Sequence, residues 1–205
     1  MAGSGTGEET DGLSLIPCAV PWVHEAGNPY YDWLFGSAER ARETLARWMA
    51  RSTSEITVAA LTGLFVEDDL AGGYVACPGE AVSVRRFADG QALLREFRGP
   101  ERQALRARLM AVVDLFLPAE PDGYYLSKIG LLQHHRGKGY GQQLVEAYLA
   151  EGCARGYTKY FLDVSADNLS AILLYREFGF YETARRTSAD GELTYARLCL
   201  TVAPP

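Results

Sequence analysis

A chain of 205 residues that is 48% hydrophobic and 22% charged is long enough to bury one core and too apolar to be disordered or fibrous. Its 20 basic against 26 acidic residues leave a net charge of -6, which repels a phosphate backbone and argues against nucleic acid as a partner. No apolar run approaches the length of a membrane span, and the small, acidic start MAGSGTGEETDG is unlike a secretory leader. Four scattered cysteines without a C-x-x-C pair read as reduced thiols in a cytoplasmic protein.

Residues 1–12 are rich in glycine and poor in large apolar side chains, so they read as a flexible tail ahead of a single domain over 13–205. Residues 13–17 suit a short edge strand, followed by the loop PWVHEAGNPYYDWLFG and then a helix from the N-cap Ser37 to Ala50. Residues 56–66 and 70–76, parted by the acidic turn Glu67-Asp68-Asp69, read as an antiparallel hairpin. Over 82–117 the period becomes helical: a short helix near Leu93 to Phe97, a Gly99-Pro100 break, and a second helix carrying Leu105, Leu109, Val112 and Phe116. Then come a strand over 124–132, the glycine-rich HHRGKGYG, a helix over 142–154, a strand over 157–164 and a short helix over 168–178 closed by Gly179. A final hairpin spans 180–186 and 193–202. Helices and strands that alternate between hairpins predict an α/β fold with a mixed sheet.

Arg136-Gly137-Lys138-Gly139-Tyr140-Gly141 places three glycines and two cations where a strand hands over to a helix. Such a loop can aim successive N–H groups at one oxyanion, aided by the helix N-terminus; a basic solvated turn is the plainer alternative. A Walker loop is excluded, because Leu132 stands where its first glycine belongs and Gly139 follows Lys138. A dinucleotide fingerprint is excluded too, because Gln142 takes the place of its last glycine.

Arg136-x-x-Gly139-x-Gly141 after YYLSKIGLL resembles the acetyl-CoA loop of the GNAT acyltransferase family. A second segment, DVSADNLSAILLYREFGF, resembles the family's strand-then-helix pattern through Asn168, Ala171, Tyr175, Gly179 and Phe180. The resemblance covers 56–200, with 82–121 outside the common core. It implies a twisted, largely antiparallel mixed sheet of six or seven strands, flanked by helices, whose central parallel pair splays apart to admit the pantetheine arm. It also implies an N-acetyltransferase that uses acetyl-CoA as co-substrate and an amine of a small molecule or peptide as acceptor. Ile129, Gly130 and Leu131 would contact the cofactor by backbone, and Arg136, Gly137, Lys138, Gly139, Tyr140 and Gly141 would hold its pyrophosphate. Asn168 would bond the cofactor or cap its helix. Tyr175 is the candidate catalytic acid, since a phenol of intrinsic pKa about 10 can protonate a leaving thiolate; a core aromatic would show the same spacing.

Many relatives carry a Glu on the strand before the loop, where YYLSKIGLL offers only Ser127 and Lys128. The general base is therefore open between water, Asp163 and another group, and a catalytically inactive CoA-binding sensor or partner module is the alternative function. His134 and His135 read as surface residues, and no cluster of residues has metal-ligand spacing. For the acceptor, His24, Tyr30, Tyr31, Asp32 and Trp33 gather aromatics and a carboxylate that suit a cationic amine. The helical insertion over 82–117 reads as a wall or lid on the acceptor side, or as a homodimer interface.

Overall fold

The computed structural model describes residues 12–203, so the expected tail lies, but for Gly12, outside the described residues. Three helices come first, α1 (Ile16–Ala26), α2 (Tyr30–Phe35) and α3 (Ala38–Met49). This corrects two expectations, because residues 13–17 are a 3₁₀ turn running into α1 rather than an edge strand, and most of the loop that follows is helical. The prolines mislead here. Pro17 sits in the first turn of α1, where no N–H is needed, and burial of Ala19, Val20, Trp22 and Val23 outweighs the one bond forfeited at Pro21. Ser37 does cap α3, its hydroxyl accepting from the Arg40 amide.

The first hairpin is β1 (Leu61–Val66) and β2 (Asp69–Pro78), joined through Glu67 and Asp68 at φ 51° and 72°, the left-handed pair that a two-residue hairpin turn requires. The insertion follows as α4 (Gly79–Glu96) and α5 (Gly99–Ala111). α4 runs far beyond the short helix expected near Leu93, because it starts at once after β2, with Pro78 as its N-cap. An added Cβ at Gly79 would lie 2.0 Å from the Glu120 carbonyl, so glycine is what lets the two backbones meet. The remaining elements are β3 (Tyr124–Leu131), α6 (Tyr140–Ala154), β4 (Lys159–Ser165), α7 (Leu169–Glu177), β5 (Tyr181–Thr187) and β6 (Thr194–Thr201).

The six strands form one sheet in the order β1-β2-β3-β4-β6-β5, antiparallel throughout except for β3 and β4. That is the mixed, mostly antiparallel sheet with one central parallel pair that the sequence predicts. The N-terminal helices cover one face, where Trp22, Val23, Leu34, Leu45 and Met49 pack with Leu70 and Val75. On the other face Leu144, Val145 and Tyr148 of α6 and Ile172 and Tyr175 of α7 pack on Tyr124, Leu126, Tyr160 and Leu162. Each fully buried Leu, Val or Met contributes about 1.5 to 3 kcal/mol. No helix among the described residues is long and apolar enough to cross a membrane.

Candidate active site

The parallel pair is brief. Tyr124 to Leu126 lie opposite Tyr160 to Leu162, after which β3 has no partner on its β4 side while β4 continues along β6. At the start of the paired stretch, ahead of the fork, the buried Tyr148 hydroxyl donates to the Tyr124 carbonyl at 2.7 Å, pinning α6 to β3. At the fork itself β3 is bulged, since Val75 faces Lys128 and Ala76 faces Leu126, which leaves Ser127 extra. A bulge turns two successive side chains toward one face. Ser127 and Lys128 therefore both line the α4 side together with Tyr125.

The gap is a cavity of about 560 Å³. Its walls bring together Ile129, Gly130, Leu131, Arg136, Gly137, Gly141, Asn168 and Tyr175 from the expected site, while Lys138 and Gly139 of the adjoining loop and Tyr140 at the start of α6 lie outside them. Gly137 and Gly139 hold φ at 73° and 83° with open space where a Cβ would be, so glycine serves the backbone conformation there. Among the described residues no amide from Gly137 to Gly141 donates to a protein acceptor. Five N–H groups and the start of α6 are thus left for an anion. Arg136 is partly committed, donating to the Leu131 carbonyl at 3.1 Å and pairing with Glu25 of α1. Gly130 has a packing duty as well, since a Cβ there would meet the Trp22 carbonyl at 3.1 Å.

Asn168 caps α7, its Oδ1 accepting from the Ala171 amide at 3.2 Å and from the Ser170 hydroxyl at 3.1 Å. At the other end of α7, Phe180 N–H bonds the Tyr175 carbonyl and Gly179 N–H bonds that of Arg176, with Gly179 at φ 89°. This is a Schellman closure, completed by an edge-on contact of the Tyr175 and Phe180 rings at 5.7 Å. It fixes Tyr175, whose hydroxyl makes no hydrogen bond among the described residues and whose pKa burial pushes well above 10.

A second cavity of about 350 Å³ lies between α2, α4, α5 and the sheet, and shares Ala26, Ser127, Lys128, Asp163 and Tyr195 with the first. Of the residues expected at the acceptor, Tyr30 and Tyr31 line it, but His24, Asp32 and Trp33 line neither cavity. Instead Asp32 holds α1 to α2, accepting from Asn28 Nδ2 at 2.9 Å and bonding the buried His24 Nε2 at 2.7 Å. The carboxylates of this cavity are Glu55, Asp89 and Asp163. The sequence reading passed over Glu55, which stands ahead of β1 in no recognisable motif. Glu55 accepts from Arg86 Nε at 2.8 Å and from the Ser127 hydroxyl. Burial raises its pKa, yet Arg86 and Lys128 outweigh that and hold it below the usual carboxylate range. Asp163 is clamped bidentately by Arg197 at 2.6 and 2.9 Å and also accepts from the Tyr125 hydroxyl at 2.8 Å, an arrangement unlike that of a free base. His135 proves buried rather than a surface residue.

The model of the Acetyltransferase (GNAT) family matches residues 20–180, most of the chain. The chain belongs to that family. Sixty residues, 29% of this chain and 24% of the relative's length, are 40% identical to the uncharacterized N-acetyltransferase YobR of Bacillus subtilis (strain 168). A crystal structure of an N-acetyltransferase from Staphylococcus aureus Mu50 matches with TM-score 0.64 at 17% identity over 93% of this chain and 95% of that one. A further acetyltransferase crystal structure gives 0.60 at 21% identity over 94% and 95%. At these identities the likeness shows the fold. GNAT enzymes use acetyl-CoA, and the splayed strands, unpartnered loop amides and glycine-led helix start suit that co-substrate.

Proposed function

We propose that this GNAT protein transfers an acetyl group from acetyl-CoA directly to a primary amine of a small molecule or peptide. The observation that carries the reading is the junction of two cavities. One suits a phosphate-bearing extended ligand, and it shares Ser127, Lys128 and Asp163 with a second that has aromatic and charged walls. The co-substrate supplies an acetyl thioester, already activated for attack. The amides from Gly137 to Gly141, with Arg136 and Lys138, hold its pyrophosphate. The unpaired edge of β3 from Ile129 to Leu131 meets the amides of its pantetheine arm as an added strand would.

Two proton transfers remain, and the chain offers a group for each. Tyr175 holds a proton for the departing thiolate, its raised pKa keeping the phenol protonated at any physiological pH. On the amine side Ser127 Oγ already donates to Glu55, so the acceptor nitrogen can pass a proton to Ser127 Oγ as the Ser127 hydroxyl proton moves to the ionised Glu55 behind it, which becomes neutral. This supplies through a neighbour what no carboxylate on β3 supplies directly. Bringing both substrates into one cleft accounts for much of the rate in such a scheme.

The test is release of free thiol from acetyl-CoA against a panel of amines, with the product identified by mass spectrometry. Amine-dependent release and an N-acetyl product are expected. Tight CoA binding without release for any amine would favour the inactive binding module instead.

A further inference from the structure

The polar groups of the second cavity divide sharply by what they already bind. Its three carboxylates are all saturated: Glu55 by Arg86 and Ser127, Asp89 by Arg51, Ser54 and the Glu55 amide, and Asp163 by Arg197 and Tyr125. An acceptor ammonium would have to break one of these sets to gain an ion pair. Lys128 is the opposite case. Its Nζ donates to the Ser127 carbonyl at 2.8 Å and lies 5.4 Å from the Tyr31 ring, and no carboxylate stands within 4 Å of it among the described residues. Two of its three N–H donors are thus unspent, and the bulge aims them at the junction where both cavities meet. Burial lowers the pKa of Lys128, Glu55 opposing and Arg86 adding to the effect, so an anion beside it would relieve a desolvated charge.

Beyond Lys128 the cavity turns apolar. Tyr30 meets Phe116 edge-on at 5.3 Å, and Phe87 and Val113 stand at the rim with 68% and 62% of their surfaces exposed. A cation at the junction, spent carboxylates and an aromatic recess call for a ligand with its anion next to the reacting nitrogen and an apolar body behind. We propose that the acceptor is an apolar α-amino acid, its carboxylate held by Lys128 and its side chain received by the recess of Tyr30, Tyr31 and Phe116. This rests on the acetyl-transfer reading above and replaces the cationic acceptor that the aromatic loop first suggested.

The experiment measures thiol release with L-leucine and L-phenylalanine against their decarboxylated amines, isoamylamine and phenethylamine, and against spermidine. Alongside it, calorimetry follows acetyl-CoA binding. The two amino acids should exceed their decarboxylated partners in kcat/KM by about 10-fold or more, with spermidine poorest, because a site built around one charged hydrogen bond rejects analogues that lack it. In Lys128→Met that preference should collapse toward unity, and Lys128→Arg should keep part of it; Lys128→Gln serves if the Met variant does not fold. Faster turnover of spermidine or of the decarboxylated amines, or a preference that survives Lys128→Met, would overturn the proposal. Acetyl-CoA bound with no turnover of either amino acid would overturn it while leaving the cofactor site standing. Failure to bind acetyl-CoA would instead bring down the acetyl-transfer reading itself.

Discussion

Tyr175 owes its position to the end of its own helix. The Phe180 amide grips its carbonyl and the Phe180 ring abuts its own, so the Gly-Phe pair that ends the motif is what aims the phenol. Tyr175→Phe keeps the ring packed and deletes only the proton donor. It should lower kcat by about 10² to 10⁴ while acetyl-CoA affinity holds. Because burial raises the Tyr175 pKa, wild-type kcat should show no alkaline loss from this group up to pH 10; a Tyr175→Phe enzyme as fast as its parent would reduce the residue to packing. Asp32 belongs to stability instead. Asp32→Ala would leave the buried His24 without its acceptor and cost about 1 to 3 kcal/mol, read as a lower denaturant midpoint with the acceptor KM unchanged. A raised KM with an unmoved midpoint would return Asp32 to the acceptor site.

At the scale of elements, the site is made by a strand that leaves its neighbour and a loop that starts a helix. The loop was legible in the sequence because its requirement is local: Gly137 and Gly139 must adopt left-handed φ, and glycine is the residue that does so without strain. Gly139→Asp would strain that backbone and set a carboxylate among the unpartnered amides. CoA should bind it at least 10-fold more weakly in calorimetry, and equal affinity would remove the loop from the site. The end of α7 was legible for the same reason. Helices α1 and α2 were not, because Pro17, Pro21 and the Gly27-Asn28-Pro29 run read as breaks, and only the burial of Trp22 and Val23 against β2 and β3 decides for helix there, whereas α3 was legible from its Ser37 cap. Nor could spacing reveal the pairing of Glu55 with Ser127, 72 residues apart. That contact exists because a bulge at Ser127 turns β3 toward the segment ahead of β1.

Across the whole molecule, two cores grip opposite faces of one sheet, and the cavities open where the sheet comes apart between them. The core on the α6 and α7 face is rich in tyrosine, with Tyr74, Tyr124, Tyr148, Tyr160 and Tyr175. Burial raises the pKa of Tyr31, Tyr125, Tyr148 and Tyr175 well above the ordinary value, and that of Tyr74 to about 12. Each folded-state value exceeds its unfolded counterpart of about 10, so this stability is fully present below pH 10 and is lost as pH rises beyond it. The thermal midpoint should accordingly be flat through pH 9 and fall steeply above pH 10, with a large share of the tyrosinate absorbance appearing only as the fold is lost; ionisation of all the tyrosines near pH 10 with the fold intact would contradict the burial. The account as a whole stands on where the co-substrate lies, and a crystal structure of the CoA complex tests that most directly. It predicts the pyrophosphate on the amides from Gly137 to Gly141, the arm along β3 from Ile129 to Leu131, and the sulfur at the junction beside Ser127 and Lys128. CoA bound outside the gap between β3 and β4, or with its sulfur directed away from the second cavity, would contradict it.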